Sequence, residues 1–183
     1  MPGNGVRKNF GHSLRSWRFN HDGSTAVEFA LIGIPFLFMV IGIIEMALMF
    51  TAQSLLEAST AEAAREIRTG AVQQGGGENA FTDTLCDFAA VLIPCGDIQY
   101  QVVALEDFGS AEEFPDAQFD EDGNLEDQQF DPGGVSDVVM IRVAYKYPIK
   151  TPMMQFVLTN NNDNSRVMLS TIVLQTEPYE FEE

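Results

Sequence analysis

From Phe29 to Phe50 almost every position is apolar, and the run is interrupted only by Pro35, Glu45 and a few small or neutral residues. A helix rises about 1.5 Å per residue, so a run of this length covers a hydrocarbon core of about 30 Å. The pattern therefore predicts a membrane span, placed at residues 24–50. Ser24 or Thr25 can cap its first turn, which puts Glu28 near the positive end of the helix dipole. Pro35 removes a backbone hydrogen bond within the span and predicts a kink. A cleaved secretory signal would have a shorter apolar stretch and a small-residue exit site, and "TAQSLLEAS" offers neither.

The periodicity after Phe50 remains helical but becomes amphipathic. Ala52, Leu56, Ser59, Ala63 and Ile67 make one narrow face of mostly small residues, Glu57, Glu62, Arg65, Glu66 and Arg68 take the other faces, and Gly70 is a stop signal. "GAVQQGGGENAFTD" then reads as a glycine-rich linker, and "TLCDFAAVLIPCGD" as a short helical turn or hairpin. Beyond it the period changes to two. Ile98, Tyr100, Val102 and Ala104 alternate with more polar positions, as do Val139, Ile141, Val143, Tyr145 and Tyr147, and Arg166–Thr176 is a third candidate strand. Three strands with one apolar face need a cover, which the outer part of the long helix supplies. The expected fold is α+β: a transmembrane helix continuing outward and packed on a small antiparallel sheet of about three strands. The expected domains are a leader at 1–23, the span at 24–50 and an outer domain at 51–183. Within the outer domain the helix extension occupies 51–69, the sheet region 98–176 and an acidic loop 106–134.

Charge orients this arrangement. Arg7, Lys8, Arg15 and Arg18 precede the span against one acid, Asp22, whereas acids dominate after it, and the formal net charge is -17. Basic flanks stay cytoplasmic, so the leader is expected inside and the outer domain outside, with the lipid bilayer as a partner of the helix. An acidic outer domain repels phosphate backbones and makes nucleic acid an unsuitable partner. Between the first two strands, Glu106 to Asp131 holds eleven acids and no Lys or Arg. Nothing within it neutralises this charge, so it reads as a solvated loop outside the packed core. An EF-hand register on Gly123 fails, because Gln118 and Gln129 stand where the first Asp and the bidentate Glu belong.

Cys86 and Cys95 fall in the exported part, where such a pair reads as a disulfide. The two histidines, His12 and His21, both precede the span, which leaves the outer domain without a zinc-type His/Cys set. No nucleophile elbow or phosphate-cradling loop is present, so neither an enzyme nor a cofactor is expected.

A carboxylate in an apolar helix is costly, by roughly 2.5–3.5 kcal/mol on insertion scales, and calls for a reason. Glu28 can snorkel to the headgroups or find a compensating charge. Glu45, seventeen residues on and about 25 Å further along the axis, is expected near the outer interface, where it can face a partner or simply water.

The series Gly23, Ser24, Thr25, Ala26, Val27, Glu28, Phe29, after a basic leader and before a long apolar helix, resembles the processing site of type IV pilin-like proteins. "VEFAL" at Val27–Leu31, "GIIE" at Gly42–Glu45 and the Ala-Arg-rich Ala63–Arg68 together resemble the TadE-like minor pilins, or pseudopilins, of the tight-adherence (Flp-type) pilus machinery. The resemblance covers Gly23 to about Thr69. It implies cleavage by prepilin peptidase after Gly23, which makes Ser24 the first mature residue and Glu28 the fifth. It also implies assembly through helix packing at Glu28, Phe29 and Glu45. The implied partners are that peptidase, sister TadE- and TadF-like pseudopilins, the major pilin and the inner-membrane assembly platform. The competing reading is a single-span exported binding module that uses its acidic loop.

Overall fold

The computed structural model describes residues 24–152, 154–160 and 164–178. Gly23 and the basic leader lie outside the described residues. The chain forms two compact units, Met1–Ile41 and Gly42–Glu183.

Helix α1 runs over Ser24–Arg68, with Pro35 inside it. By length and composition it is a candidate membrane span near the N-terminus. In the first unit its large side chains Val27, Phe29, Leu31, Ile32, Ile34 and Phe36 are all more than half exposed. Such a continuous apolar surface has no favourable place in water and suits hydrocarbon.

The second unit is built on a three-stranded antiparallel sheet in the order β1-β2-β3, with β1 Ile98–Leu105, β2 Val138–Pro148 and β3 Ser165–Gln175. Ile98 lies opposite Tyr145 and Leu105 opposite Val138, while Pro148 pairs with Ser165 and Val138 with Gln175. The α+β expectation and the apolar alternation agree with this sheet. Val139, Ile141, Val143 and Tyr145 belong to the core together with the small-residue face of α1. Ala52, Leu56, Ser59, Ala63 and Ile67 are completely buried there. Small side chains let the helix approach the sheet closely. The two buried hydroxyls on this side, Ser59 and Thr60, donate to the Leu56 carbonyl of their own helix at 2.9 and 2.6 Å, so neither is an unsatisfied cost.

Two expectations are corrected. The stretch read as a glycine-rich linker is largely helical: a π-helical turn at Val72–Gly76 leads into helix α2 at Gly77–Ala89, which also absorbs the first half of the supposed turn or hairpin. Glycine disfavours helix by about 1 kcal/mol per residue, but Phe81, Leu85 and Ala89 recur every four residues and are buried. Phe81 meets Tyr100 and Phe130 with ring centroids 5.4 and 5.5 Å apart. Tertiary burial overrides propensity. The Cys86–Cys95 disulfide, with Cα atoms 5.3 Å apart, then ties the end of α2 to the 3₁₀ turn Cys95–Asp97 that opens β1.

The second correction concerns the acidic segment, which is a loop but not one outside the packed structure. It contains the short helix α3, Phe108–Glu113, capped by the Asp107 side chain, which accepts from the Ser110 N–H. Val102 of β1 bonds both ways to it, its N–H to Gln129 O at 2.8 Å and its carbonyl to the Asp131 N–H at 2.9 Å. Leu125 is buried and Phe130 packs against the core. Two cationic side chains of β2 bind backbone carbonyls of this segment. Arg142 donates to Pro115 O at 2.7 Å and stands 5.2 Å from the Phe114 ring centroid, and Lys146 donates to Asp122 O at 2.7 Å. With α1 on one face and this flap on the other, Val138 to Tyr145 are buried on both sides of the sheet.

Candidate functional site

Two places on α1 carry the carboxylates singled out in the sequence, one in each unit. In the first, Glu28 lies in α1 four residues after Ser24, where the described residues start. Phe29 beside it is 78% exposed. Its ring lies over Gly33, where an added Cβ would sit 3.6 Å away. Gly23, the remaining member of the processing set, is outside the described residues. Over its described range Ser24–Arg68, Glu28 is the first carboxylate of α1.

In the second unit, Glu45 is buried, with only 6% of its surface exposed. A charged side chain is rarely so enclosed unless its oxygens are bonded. Here both are. The Lys150 backbone N–H donates to Oε1 at 3.1 Å, and the Thr151 hydroxyl donates to Oε2 at 2.8 Å. Tyr147 faces the same carboxylate; burial raises its pKa above the usual tyrosine value, and the negative charge of Glu45 raises it further. The donors belong to the end of β2 and the turn that follows, Tyr147 to Thr151. Pro148 ends that strand and Pro152 follows Thr151, and prolines leave the turn few alternative backbone conformations.

This arrangement is a clasp. The Glu45 carboxyl group on the helix accepts from donors at the strand end through both of its oxygens. Next to it Gly42 is covered by Met154, whose Sδ and Cε would stand 3.3 Å from an added Cβ. Glycine at this position lets the chain after β2 lie directly against α1. The sequence reading placed Glu45 at an interface but did not find Lys150, Thr151 or Tyr147 as its partners. A hydroxyl between two prolines just past a strand was the available signal, and nothing in it points to a residue 106 positions away.

Among the described residues, no group of three or more His, Cys, Asp or Glu is placed to hold a metal. In the acidic flap, Asp120 accepts from the Asn124 N–H at 2.7 Å and from its side-chain amide at 2.9 Å, so that carboxylate closes its own turn.

Residues 23–65 match the family model described as TadE-like protein. This segment is TadE-like. The match opens at Gly23 and includes both Glu28 and Glu45. The matched residues include the apolar part of α1 that is a candidate membrane span. No curated protein and no solved structure matches the chain. The TadE-like match ends before the disulfide, the sheet and the acidic flap.

Proposed function

We propose that the protein is a non-enzymatic minor pilin, or pseudopilin, that acts in assembly of a tight-adherence pilus. On this reading it is anchored in the inner membrane by α1, with the leader cytoplasmic and the second unit periplasmic. Prepilin peptidase cuts between Gly23 and Ser24. The observation that carries the reading is the TadE-like match, which starts at Gly23 and continues through Glu28 and the apolar helix.

The chemistry of the cut gives Glu28 its role. Hydrolysis creates an ammonium at Ser24, one helical turn from Glu28, in a medium where an unpaired carboxylate is expensive. The two charges compensate each other within a chain or between neighbouring pilins, and pairing between neighbours sets the register of helix packing. Phe29, beside Glu28 and exposed, supplies apolar contact at the same level. The partners are sister TadE- and TadF-like pseudopilins, the major pilin and the inner-membrane platform.

Intact-mass analysis of the membrane-extracted protein tests this reading. The expected species starts at Ser24 in cells with active peptidase and at Met1 in cells without it. Gly23→Leu should preserve the longer form in both, because the peptidase site is shaped for glycine. A chain that begins at Met1 beside an active peptidase would remove the pilin assignment.

A further inference from the structure

The end of the sheet at which Glu45 is clasped also carries two exposed apolar turns. Strand register defines that end: Ile98 at the start of β1, Pro148 at the end of β2 and Ser165 at the start of β3 lie together there. After β2, helix α4, Gln155–Leu158, is anchored on one side by Leu158, which is buried, and by Met154, which packs on the core. Its other side presents Phe156, 90% exposed, and Val157, 75% exposed. Before β1, Val91 and Leu92 stand out between α2 and the 3₁₀ turn, with Val91 84% exposed. Isolated exposed apolar residues are ordinary on protein surfaces. These are distinguished by where they stand. Met154 rests on Gly42, and the neighbouring α1 residues Ile43 and Ile44 are themselves exposed and belong to the apolar run that predicts the span.

We propose that Phe156 and Val157 form a second membrane contact, inserted among the acyl chains and headgroups of the leaflet from which α1 emerges, with Val91 and Leu92 resting at the same surface. The inference depends on the reading of α1 as a membrane span. Lipid is the occupant because the patch continues the apolar surface of α1 at Ile43 and Ile44. Helix α4 cannot turn its apolar pair inward, since Met154 and Leu158 already occupy the core side. Lys150, exposed two residues after Pro148, is a cation at the same end for lipid phosphates. Together the clasp and the apolar pair hold the second unit against the bilayer, so its orientation there is set by two points rather than by a single helix.

Depth-sensitive quenching in the full chain provides the test. Phe156→Cys, Val157→Cys, Val135→Cys and Ile34→Cys are each labelled with an environment-sensitive fluorophore, the native cysteines being held in their disulfide. Each protein is reconstituted alone in vesicles of phosphatidylcholine and phosphatidylglycerol that contain doxyl-labelled lipid. Val135, exposed near the start of β2, marks the opposite end of the sheet, and Ile34 reports on the span. Labels at 34, 156 and 157 should be quenched by the lipid, whereas the label at 135 should respond only to aqueous iodide. Quenching at 34 with iodide access at 156 and 157 would leave α4 in water and overturn the second contact alone. Shielding of 156 and 157 from both quenchers would mean protein covers them and would equally overturn it. No lipid quenching at 34 would remove the span itself.

Discussion

The Thr151 hydroxyl donates to Glu45 Oε2 at 2.8 Å, joining residues 106 positions apart, where the chain leaves β2 and the apolar run of α1 is still in progress. A carboxylate that looked like a membrane-interface residue is thus satisfied within its own chain. Glu45→Gln keeps the shape of the side chain but puts an amide donor among the Lys150 and Thr151 donors. The expected loss is about 1–3 kcal/mol, the usual cost of leaving a buried group unsatisfied. Thr151→Val should cost about 1 kcal/mol. The pair should be non-additive by about 0.5–3 kcal/mol in a double-mutant cycle, read from unfolding of the full chain in detergent. Additive effects would mean the two residues stabilise the protein independently.

Glu28 is expected to matter for assembly more than for insertion or cleavage. The many apolar residues of α1 easily offset the few kcal/mol that insertion scales assign to the acid. Glu28→Ala should therefore leave abundance and the mature N-terminus unchanged while co-purification of sister subunits and pilus yield fall. Glu28→Asp, which keeps the charge with a shorter reach, should be intermediate. Normal piliation in the Ala strain would reduce Glu28 to a snorkelling residue.

The disulfide should be detectable as two thiols that resist alkylation until reduced. Cys86 and Cys95 are 9 positions apart, so closing so short a loop should contribute roughly 2–3 kcal/mol. Cys86→Ser should lower stability by about that amount in oxidised protein and by much less when the comparison is made under reducing conditions. Equal effects in both conditions would assign the loss to packing of the side chain instead.

Arg142 is expected to hold the acidic flap. Arg142→Met keeps much of the aliphatic stem but removes the donors to Pro115 O and Gln101 Oε1. Limited proteolysis should then cut between Glu106 and Asp131 faster, with the sheet fragment surviving. An unchanged cleavage rate would show that the Val102 backbone bonds suffice to secure the flap.

The Tyr100 hydroxyl donates to Glu78 Oε1 at 2.6 Å and links α2 to β1. Burial first, and then the Glu78 bond and charge, push its pKa up to about 12. Since the folded value exceeds the ordinary tyrosine value of 10.0, the native state holds its proton while the unfolded chain loses it. Its contribution is present below pH 10 and is lost as pH rises toward about 12. Ultraviolet titration of the phenolates should find Tyr100 among the late-titrating tyrosines, with Tyr145 and Tyr147 also raised, and Glu78→Gln should move the Tyr100 transition downward without restoring the ordinary value. A tyrosine at position 100 that ionises normally in the native protein would contradict this.

Sequence alone determined what depends on neighbours along the chain. The apolar run of α1, the small face from Ala52 to Ile67 and the alternation in β1, β2 and β3 are periodic signals, legible because burial on one side repeats with the geometry of the element. The cysteines were legible too, because their separation is short and the charge asymmetry implies export. Tertiary structure decided the rest. Phe81, Leu85 and Ala89 gained a core to pack against, which turned a glycine-rich stretch into helix α2. The acidic flap gained Arg142 and Lys146 from a strand further along the chain, and their side chains tie its backbone carbonyls to the sheet. Glu45 found Lys150 and Thr151 because α1 lies against the end of β2. Each of these outcomes rests on a partner distant in sequence, and no local period or composition encodes which distant residue folding will bring into reach.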